Sequence, residues 1–158
     1  MIRTTDNILA IIIWVGVCLA VGFIAGRFSP GTWYQNLIKP SWTPPGGVFP
    51  VVWTILYVMM GMSGWIIWRE IGLAAAVIPI IFFALQLALN ALWPYIFFFL
   101  HRPGLAFAEI IVLWAVVLVT LILFWMKRPL AGALLLPYLV WLTFAAALNF
   151  SIWRMNRI

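Results

Sequence analysis

Residues 33–57 read WYQNLIKPSWTPPGGVFPVVWTILY, and this segment decides how the rest of the chain is interpreted. Its four prolines and two adjacent glycines oppose a regular helix before about Val48, because proline lacks a backbone N–H and glycine leaves the backbone unconstrained. The segment also carries three tryptophans and two tyrosines, which make it too apolar for an ordinary solvated loop. It therefore predicts a loop that folds back against protein or membrane, with a short helix at Trp33–Ile38, and then leads into a helix.

The composition outside this segment is that of an integral membrane protein. Of 158 residues, 67% are hydrophobic and 8% are charged, so nine Lys/Arg, three Asp/Glu and one His cannot cover a soluble domain. Continuous apolar runs favour helices over a β-barrel, whose strands alternate polar and apolar residues. The net charge of +6 is scattered singly between the runs. This distribution predicts bilayer anchors and no nucleic-acid partner.

Apolar runs of about 20 residues predict five membrane-spanning helices. We expect an all-α bundle in one domain, residues 1–158, whose short turns make neighbouring helices antiparallel. The first run is longer than the apolar region of a signal peptide, and we expect it to be retained. The predicted helices cover about 8–27, 48–68, 73–100, 105–126 and 130–153, and the loop covers 28–47. Kinks are predicted at Pro79 and Pro94 in the third helix, and Pro137 lies inside the fifth.

Few polar side chains lie inside the predicted spans. The sequence shows no catalytic triad, metal-ligand cluster or phosphate-binding loop, and the single cysteine, Cys18, excludes an intrachain disulfide. Gln86 and Asn90 are four residues apart and share one helix face, so their amides should point into the bundle. They either join helices by hydrogen bonds or, in the case of Asn90, hold a polar atom of a ligand. Glu109 either reaches Arg102 and the membrane surface or serves as an ion or proton site.

Two tryptophans stand apart from those expected at the membrane–water interfaces. Trp53 and Trp141 lie within spans and close to prolines, and Trp53 shares a helix face with Tyr57. A buried indole N–H needs a partner, and Asn90 is the predicted one. A cavity walled by these rings and covered by the aromatic loop would suit a large, flat, mostly apolar ligand.

Four motifs in this chain resemble the TspO/MBR family, which includes the mitochondrial translocator protein. They are WY-x-x-L-x-KP-x-W-x-PP from Trp33 to Pro45, VFP-x-VWT-x-LY from Val48 to Tyr57, QL-x-LN-x-LW from Gln86 to Trp93, and PYL-x-W-x-x-FA-x-x-LN from Pro137 to Asn149. The resemblance covers about residues 14–154.

This resemblance implies a five-helix membrane protein, expected as a homodimer, with a cavity that binds porphyrins such as protoporphyrin IX. No other cofactor is expected. Positions that match the family's ligand pocket are Tyr34, Pro44, Trp53, Asn90, Trp141 and Ala145, and the aromatic residues Trp42, Tyr57 and Trp93 complete the candidate site. Phe150 stands where animal members carry the tyrosine of a cholesterol motif, which predicts weak sterol binding.

Four functions remain open at this point. The first is a porphyrin-binding and sensing protein with the 28–47 loop as its cap. The second is an enzyme that degrades porphyrin with light and oxygen, with Trp53 and Trp141 as the catalytic residues. A facilitative transporter of tetrapyrroles or lipids and a structural scaffold are the others. We expect a bacterial cytoplasmic membrane, with an outer membrane as the alternative; Lys and Arg are too evenly divided to predict the orientation.

Overall fold

The computed structural model describes residues 4–28 and 30–157, and all regular secondary structure in these ranges is helical. A π-helical turn, Tyr95–Phe99, continues the fourth helix. The all-α fold predicted from the apolar runs is thereby confirmed. In chain order the helices are α1 (Thr4–Gly26), α2 (Thr32–Asn36), α3 (Val48–Ile71), α4 (Val77–Pro94), α5 (Pro103–Lys127), α6 (Pro129–Ala133) and α7 (Leu136–Met155).

Five segments of the described chain are long and apolar enough to cross a membrane, which confirms the number of predicted spans. They contain 21 to 27 residues, and a helix needs about 20 to cross the hydrocarbon core. The segments are Asp6–Gly26, Val48–Ile71, Val77–Phe99, Pro103–Lys127 and Pro129–Met155.

The spans form a bundle in which α1 packs against α3 and α4, while α5 packs against α4, α6 and α7. Successive spans run in opposite directions because their connections fold back. Residues 28–47, the turn at His101–Arg102 and the C-terminal end of α7 therefore lie at one end of the bundle, which we call the loop end.

The predicted loop is held against the end of α7. Its short helix, α2, ends at Asn36, two residues before the predicted limit. The Ile38 N–H donates to Asn156 Oδ1 at 3.0 Å, and Asn156 Nδ2 donates to the Ile38 carbonyl at 2.9 Å. This pair of bonds joins residues that are 118 positions apart in the sequence. The loop is thus fastened by the last helix of the chain.

The fifth span is interrupted, whereas the sequence predicted one helix with Pro137 inside it. Helix α6 ends at Ala133 and α7 begins at Leu136. Proline has no N–H to donate to the carbonyl four residues earlier, here that of Ala133, and its ring clashes with that carbonyl. Pro137 is instead placed in the first turn of α7, where an N–H has no helical partner to lose.

The third span differs from its prediction at both ends. Its helix starts at Val77 rather than at about residue 73, so Pro79 falls in the first turn and causes no kink there. Pro94 cannot donate to the Asn90 carbonyl, and the π-helical turn begins at the next residue. A change of helix type at this proline accommodates the missing hydrogen bond.

Candidate ligand-binding site

A buried amide links three helices in the middle of the bundle. The Tyr57 hydroxyl donates to Asn90 Oδ1, and Asn90 Nδ2 donates to the Tyr138 hydroxyl at 2.8 Å. The three side chains are 5%, 4% and 0% exposed. The ring of Trp53 lies against both tyrosines, with centroid distances of 5.7 and 6.1 Å. We call these four residues the Asn90 cluster.

The Asn90 cluster corrects the predicted role of its amide. Asn90 was expected to accept an indole N–H from Trp53 or Trp141, but the two tyrosines engage its oxygen and nitrogen. Tyr138 was not among the predicted site residues. Its fully buried ring packs on Trp53, and its hydroxyl accepts a hydrogen bond from Asn90. Its position in the PYL-x-W motif was visible in the sequence, but its contact with α4 was not.

A groove of about 510 Å³ runs between α3 and α7. It opens sideways from the bundle, and its walls are almost entirely apolar. Trp141 is the one lining side chain that bears a polar group. The lining residues are Val52, Ile55, Leu56, Met59, Leu136, Pro137, Val140, Trp141 and Phe144. We call this feature the α3–α7 groove.

Trp141 is surrounded by aromatic rings, yet its indole nitrogen has no hydrogen-bond partner. Its ring lies 5.8 Å from Phe49 and 5.2 Å from Phe144, measured between centroids. The Nε1 atom is buried, and no acceptor among the described residues reaches it. A buried indole N–H is normally satisfied, so this open hydrogen-bond donor is unusual.

The loop covers one end of the α3–α7 groove. Trp42, which is 47% exposed, packs edge-to-face on Phe144 with 5.7 Å between ring centroids. Pro44, two residues further along the loop, is half-buried. Trp42 is thus the loop residue that lies over the groove.

Tyr34 and Trp93 belong to a second aromatic group at the loop end. Tyr34 packs edge-to-face on Phe97 and Phe98, and Trp93 stacks on Phe97 at 4.9 Å. The Trp93 indole donates to Asn149 Oδ1 at 3.0 Å, so Asn149 points into the bundle. Burial raises the pKa of the Tyr34 phenol above its ordinary value. This group holds α2 to the helix ends beneath it.

The predicted site residues therefore fall into three neighbouring groups and not around a single cavity. Trp53, Tyr57 and Asn90 lie in the interior cluster, while Trp42 and Trp141 adjoin the α3–α7 groove. Tyr34 and Trp93 lie at the loop end, and Ala145 is half-buried beside Phe144. The two tryptophans proposed as catalytic, Trp53 and Trp141, thus belong to different groups.

The sequence reasoning missed three residues that the structure gives a part in the site. Phe144 stands in a quoted motif, but only its contacts with Trp42 and Trp141 show its position. Tyr138 and Asn156 act through hydrogen bonds to distant segments. No spacing rule along the chain could have indicated them.

The chemistry of this region is aromatic contact and hydrogen bonding. In the part of the chain that the structure describes, no group of three or more His, Cys, Asp or Glu side chains could hold a metal ion. The polar atoms of this region include the tyrosine hydroxyls, the amides of Gln86, Asn90 and Asn149, and the tryptophan indoles. Such a set can orient a flat ligand by one or two acceptor atoms while its faces lie on rings.

Fold and site together define a multi-pass integral membrane protein, a five-span helical bundle with an aromatic loop over one end. The chain matches the model of the TspO/MBR family over residues 14–154 and belongs to that family.

Several relatives are similar to this chain over most of its length. Protein CrtK of Rhodobacter capsulatus is 45% identical over 88% of both chains. The tryptophan-rich protein TspO of Chlorobaculum tepidum is 39% identical over 95% of this chain and 98% of its own. The translocator protein of Homo sapiens is 40% identical over 85% of this chain and 82% of its own.

Proposed function

We propose that this protein binds porphyrins such as protoporphyrin IX, and similar flat apolar molecules, in the α3–α7 groove beneath the 28–47 loop, and that this binding serves a sensing or translocator role in the membrane. The observation that carries the proposal is an apolar groove whose α7 wall includes Trp141 and Phe144, with the buried indole N–H of Trp141 left unpartnered. Relatives named tryptophan-rich sensory protein and translocator protein support the general role.

The size of the groove suits a ligand of this class. Small-molecule pockets commonly measure about 300–1,000 Å³, and the groove's volume of about 510 Å³ lies within that range. A flat macrocycle presents two large apolar faces, and Trp141, Phe144 and Val140 offer matching surface on α7. The opening toward the bilayer allows such a ligand to enter from the lipid, where apolar molecules are concentrated.

Trp141 provides the one polar contact in this groove. A porphyrin carries carboxylate groups at its edge, and a carboxylate oxygen is a strong hydrogen-bond acceptor. When the indole N–H of Trp141 donates to such an oxygen, a hydrogen bond is gained. No hydrogen bond within the protein is broken in exchange. Trp42 on the loop then covers the end of the groove by its contact with Phe144.

The test is a titration of the detergent-solubilised protein with protoporphyrin IX, followed by the change in porphyrin absorbance. We expect saturable binding to the wild type. Trp141→Ala should weaken binding about tenfold, because it removes an aromatic contact worth about 1 kcal/mol as well as the donor. Trp141→Phe keeps the ring and should have an intermediate effect.

The matched control is Trp68→Phe, which changes a half-buried tryptophan at the far end of α3. It should leave the affinity unchanged. Equal affinities for wild type, Trp141→Ala and Trp68→Phe would reject the groove as the binding site. Binding no stronger than that of an unrelated helical membrane protein would reject the function.

A further inference from the structure

Glu109 places a carboxyl group inside the membrane-spanning bundle. It is the seventh residue of α5, so it lies roughly 9 Å along the axis from the start of that helix. It belongs to the buried stripe of the helix, between Ala106 and Ile110, and is 8% exposed. The side chain thus faces the neighbouring helices and neither the lipid nor the water at the loop end.

Neither oxygen of this carboxyl has a hydrogen-bond partner. Oε1 and Oε2 are both buried, and no donor among the described residues reaches them. The predicted contact with Arg102 is not formed, since Arg102 is exposed in the turn before α5. The ion pair found in residues 4–28 and 30–157 joins Arg128 to Glu70 at the opposite end of the bundle.

The helices packed against α5 bring no counter-charge to Glu109. Helices α4 and α6 contain no titratable side chain. On α7, Tyr138 is bonded to Asn90, and Arg154 is exposed over the ring of Phe150. The π-helical turn has only Tyr95, whose ring stacks with Phe99.

The remaining neighbour of α5 is α3, which carries three titratable groups. Tyr57 donates its hydroxyl hydrogen to Asn90. The other two, Arg69 and Glu70, are exposed at the far end of the bundle. No cation from a packed helix is therefore placed to stabilise an ionised Glu109.

We propose that Glu109 is a proton-binding site of the membrane domain, occupied at neutral pH. An ionised carboxylate without partners in a low-dielectric interior is so costly that the group takes up a proton and becomes neutral. A metal ion is a poor alternative, because it would need several further oxygen or nitrogen ligands, which the described residues do not supply. Loss of this proton would place an unpaired negative charge beside the core residues of α5.

The test uses the protein's small number of acids. Asp6, Glu70 and Glu109 are the three acidic side chains, and Asp6 and Glu70 are exposed. In the variant Asp6→Asn/Glu70→Gln, Glu109 is the remaining acidic side chain. We expect the infrared spectrum of this variant at neutral pH to contain the carbonyl band of a protonated carboxyl group, and E109Q in the same background to lose it. A carboxylate band that is present in this variant and lost in E109Q, in place of the carbonyl band, would overturn the proposal.

A second measurement uses N,N′-dicyclohexylcarbodiimide, an apolar reagent that reacts with the protonated form of a carboxyl group. The acid O–H adds across one C=N bond, and the adduct rearranges to an N-acylurea, so the peptide gains the whole reagent. In the wild type we expect the label on the peptide that contains Glu109 and its loss in E109Q. Labelling of Glu70 in preference to Glu109 would contradict the proposal.

Discussion

Asn90 links three of the membrane-spanning segments in the interior of this bundle. One amide group accepts from a tyrosine on α3 and donates to a tyrosine on α7, while its own backbone belongs to α4. Three spans are thereby joined by one side chain. The amide oxygen, the amide nitrogen and both hydroxyl oxygens each take part in a hydrogen bond. In a hydrocarbon environment, where water cannot replace a lost partner, such a point fixes how the helices are rotated.

Replacement of Asn90 by alanine should destabilise the protein. The change leaves two buried tyrosine hydroxyls without partners, at a cost of about 1–3 kcal/mol in the free energy of unfolding. The measurement is the midpoint of thermal unfolding in detergent, and we expect it to fall.

The matched control for this prediction removes all the polar partners together. Tyr57→Phe/Asn90→Leu/Tyr138→Phe leaves no buried polar group behind, so it should cost less than Asn90→Ala alone. A larger loss in the triple variant would show that the hydrogen bonds are not the source of the effect.

At the scale of single residues, the sequence predicted which polar side chains face inward but not what they meet. The i,i+4 spacing placed Gln86 and Asn90 on one buried face, and both are buried. The partners of Asn90 depend on the rotation of α3 and α7 about their axes. That rotation is set by packing across the whole bundle and leaves no mark on local spacing.

Among the helices, α1 and α3 approach each other closely at Gly61. A Cβ atom added to Gly61 would lie 2.5 Å from the Cα of Val15, well inside a normal contact. Only a residue without a side chain lets the two backbones come this close, as is common between membrane helices.

Gly61→Ala should therefore force α1 away from α3. Because the obstructing atom is backbone and cannot rotate aside, the expected loss in the free energy of unfolding is about 1–3 kcal/mol. The control is Gly16→Ala on α1, where an added Cβ meets no atom within 4 Å. Thermal unfolding should show no loss for Gly16→Ala, and equal losses for the two variants would argue against the close contact.

The loop should loosen when its attachment to α7 is removed. Asn156→Ala deletes both bonds to the Ile38 backbone, and a loss of about 1 kcal/mol corresponds to about fivefold more of the open loop. Limited proteolysis within residues 37–47 should accelerate by this factor. Asn36→Ala, which changes an exposed amide on α2, is the control and should leave the rate unchanged.

The number and order of the spans could be read from the apolar runs, whereas helix ends and interruptions could not. The runs set the five spans because a membrane requires about 20 apolar residues for each. Pro94 was expected to kink its helix and Pro137 to lie inside one, but Pro94 is followed by a π-helical turn and Pro137 stands in the first turn of a new helix. Which outcome follows a proline depends on neighbours that satisfy the freed carbonyl group, and these come from other helices.

For the whole molecule, the five-span topology assigns each connection to one side of the membrane. Asn36 and Arg157 lie at the loop end, while Lys127 lies between the last two spans at the other end. The single native cysteine, Cys18, is 0% exposed, so it should not react with a polar reagent and can stay in place.

In sealed vesicles of uniform orientation, an impermeant maleimide should reach Asn36→Cys and Arg157→Cys from one side and Lys127→Cys from the other. The wild type provides the blank for Cys18. Reaction of Asn36→Cys and Lys127→Cys from the same side would contradict the five-span topology.

The bond pair between Ile38 and Asn156 has a consequence for the order in which the protein is made. The loop leaves the ribosome more than a hundred residues before the side chain that fastens it. Throughout synthesis the first spans can insert and pair while this aromatic segment still has no anchor. The α3–α7 groove likewise has only one wall until α7 arrives. A chain that stops short of its final helix would therefore be a membrane protein without this groove and with its loop unfastened, so a formed groove is a mark of completed biogenesis.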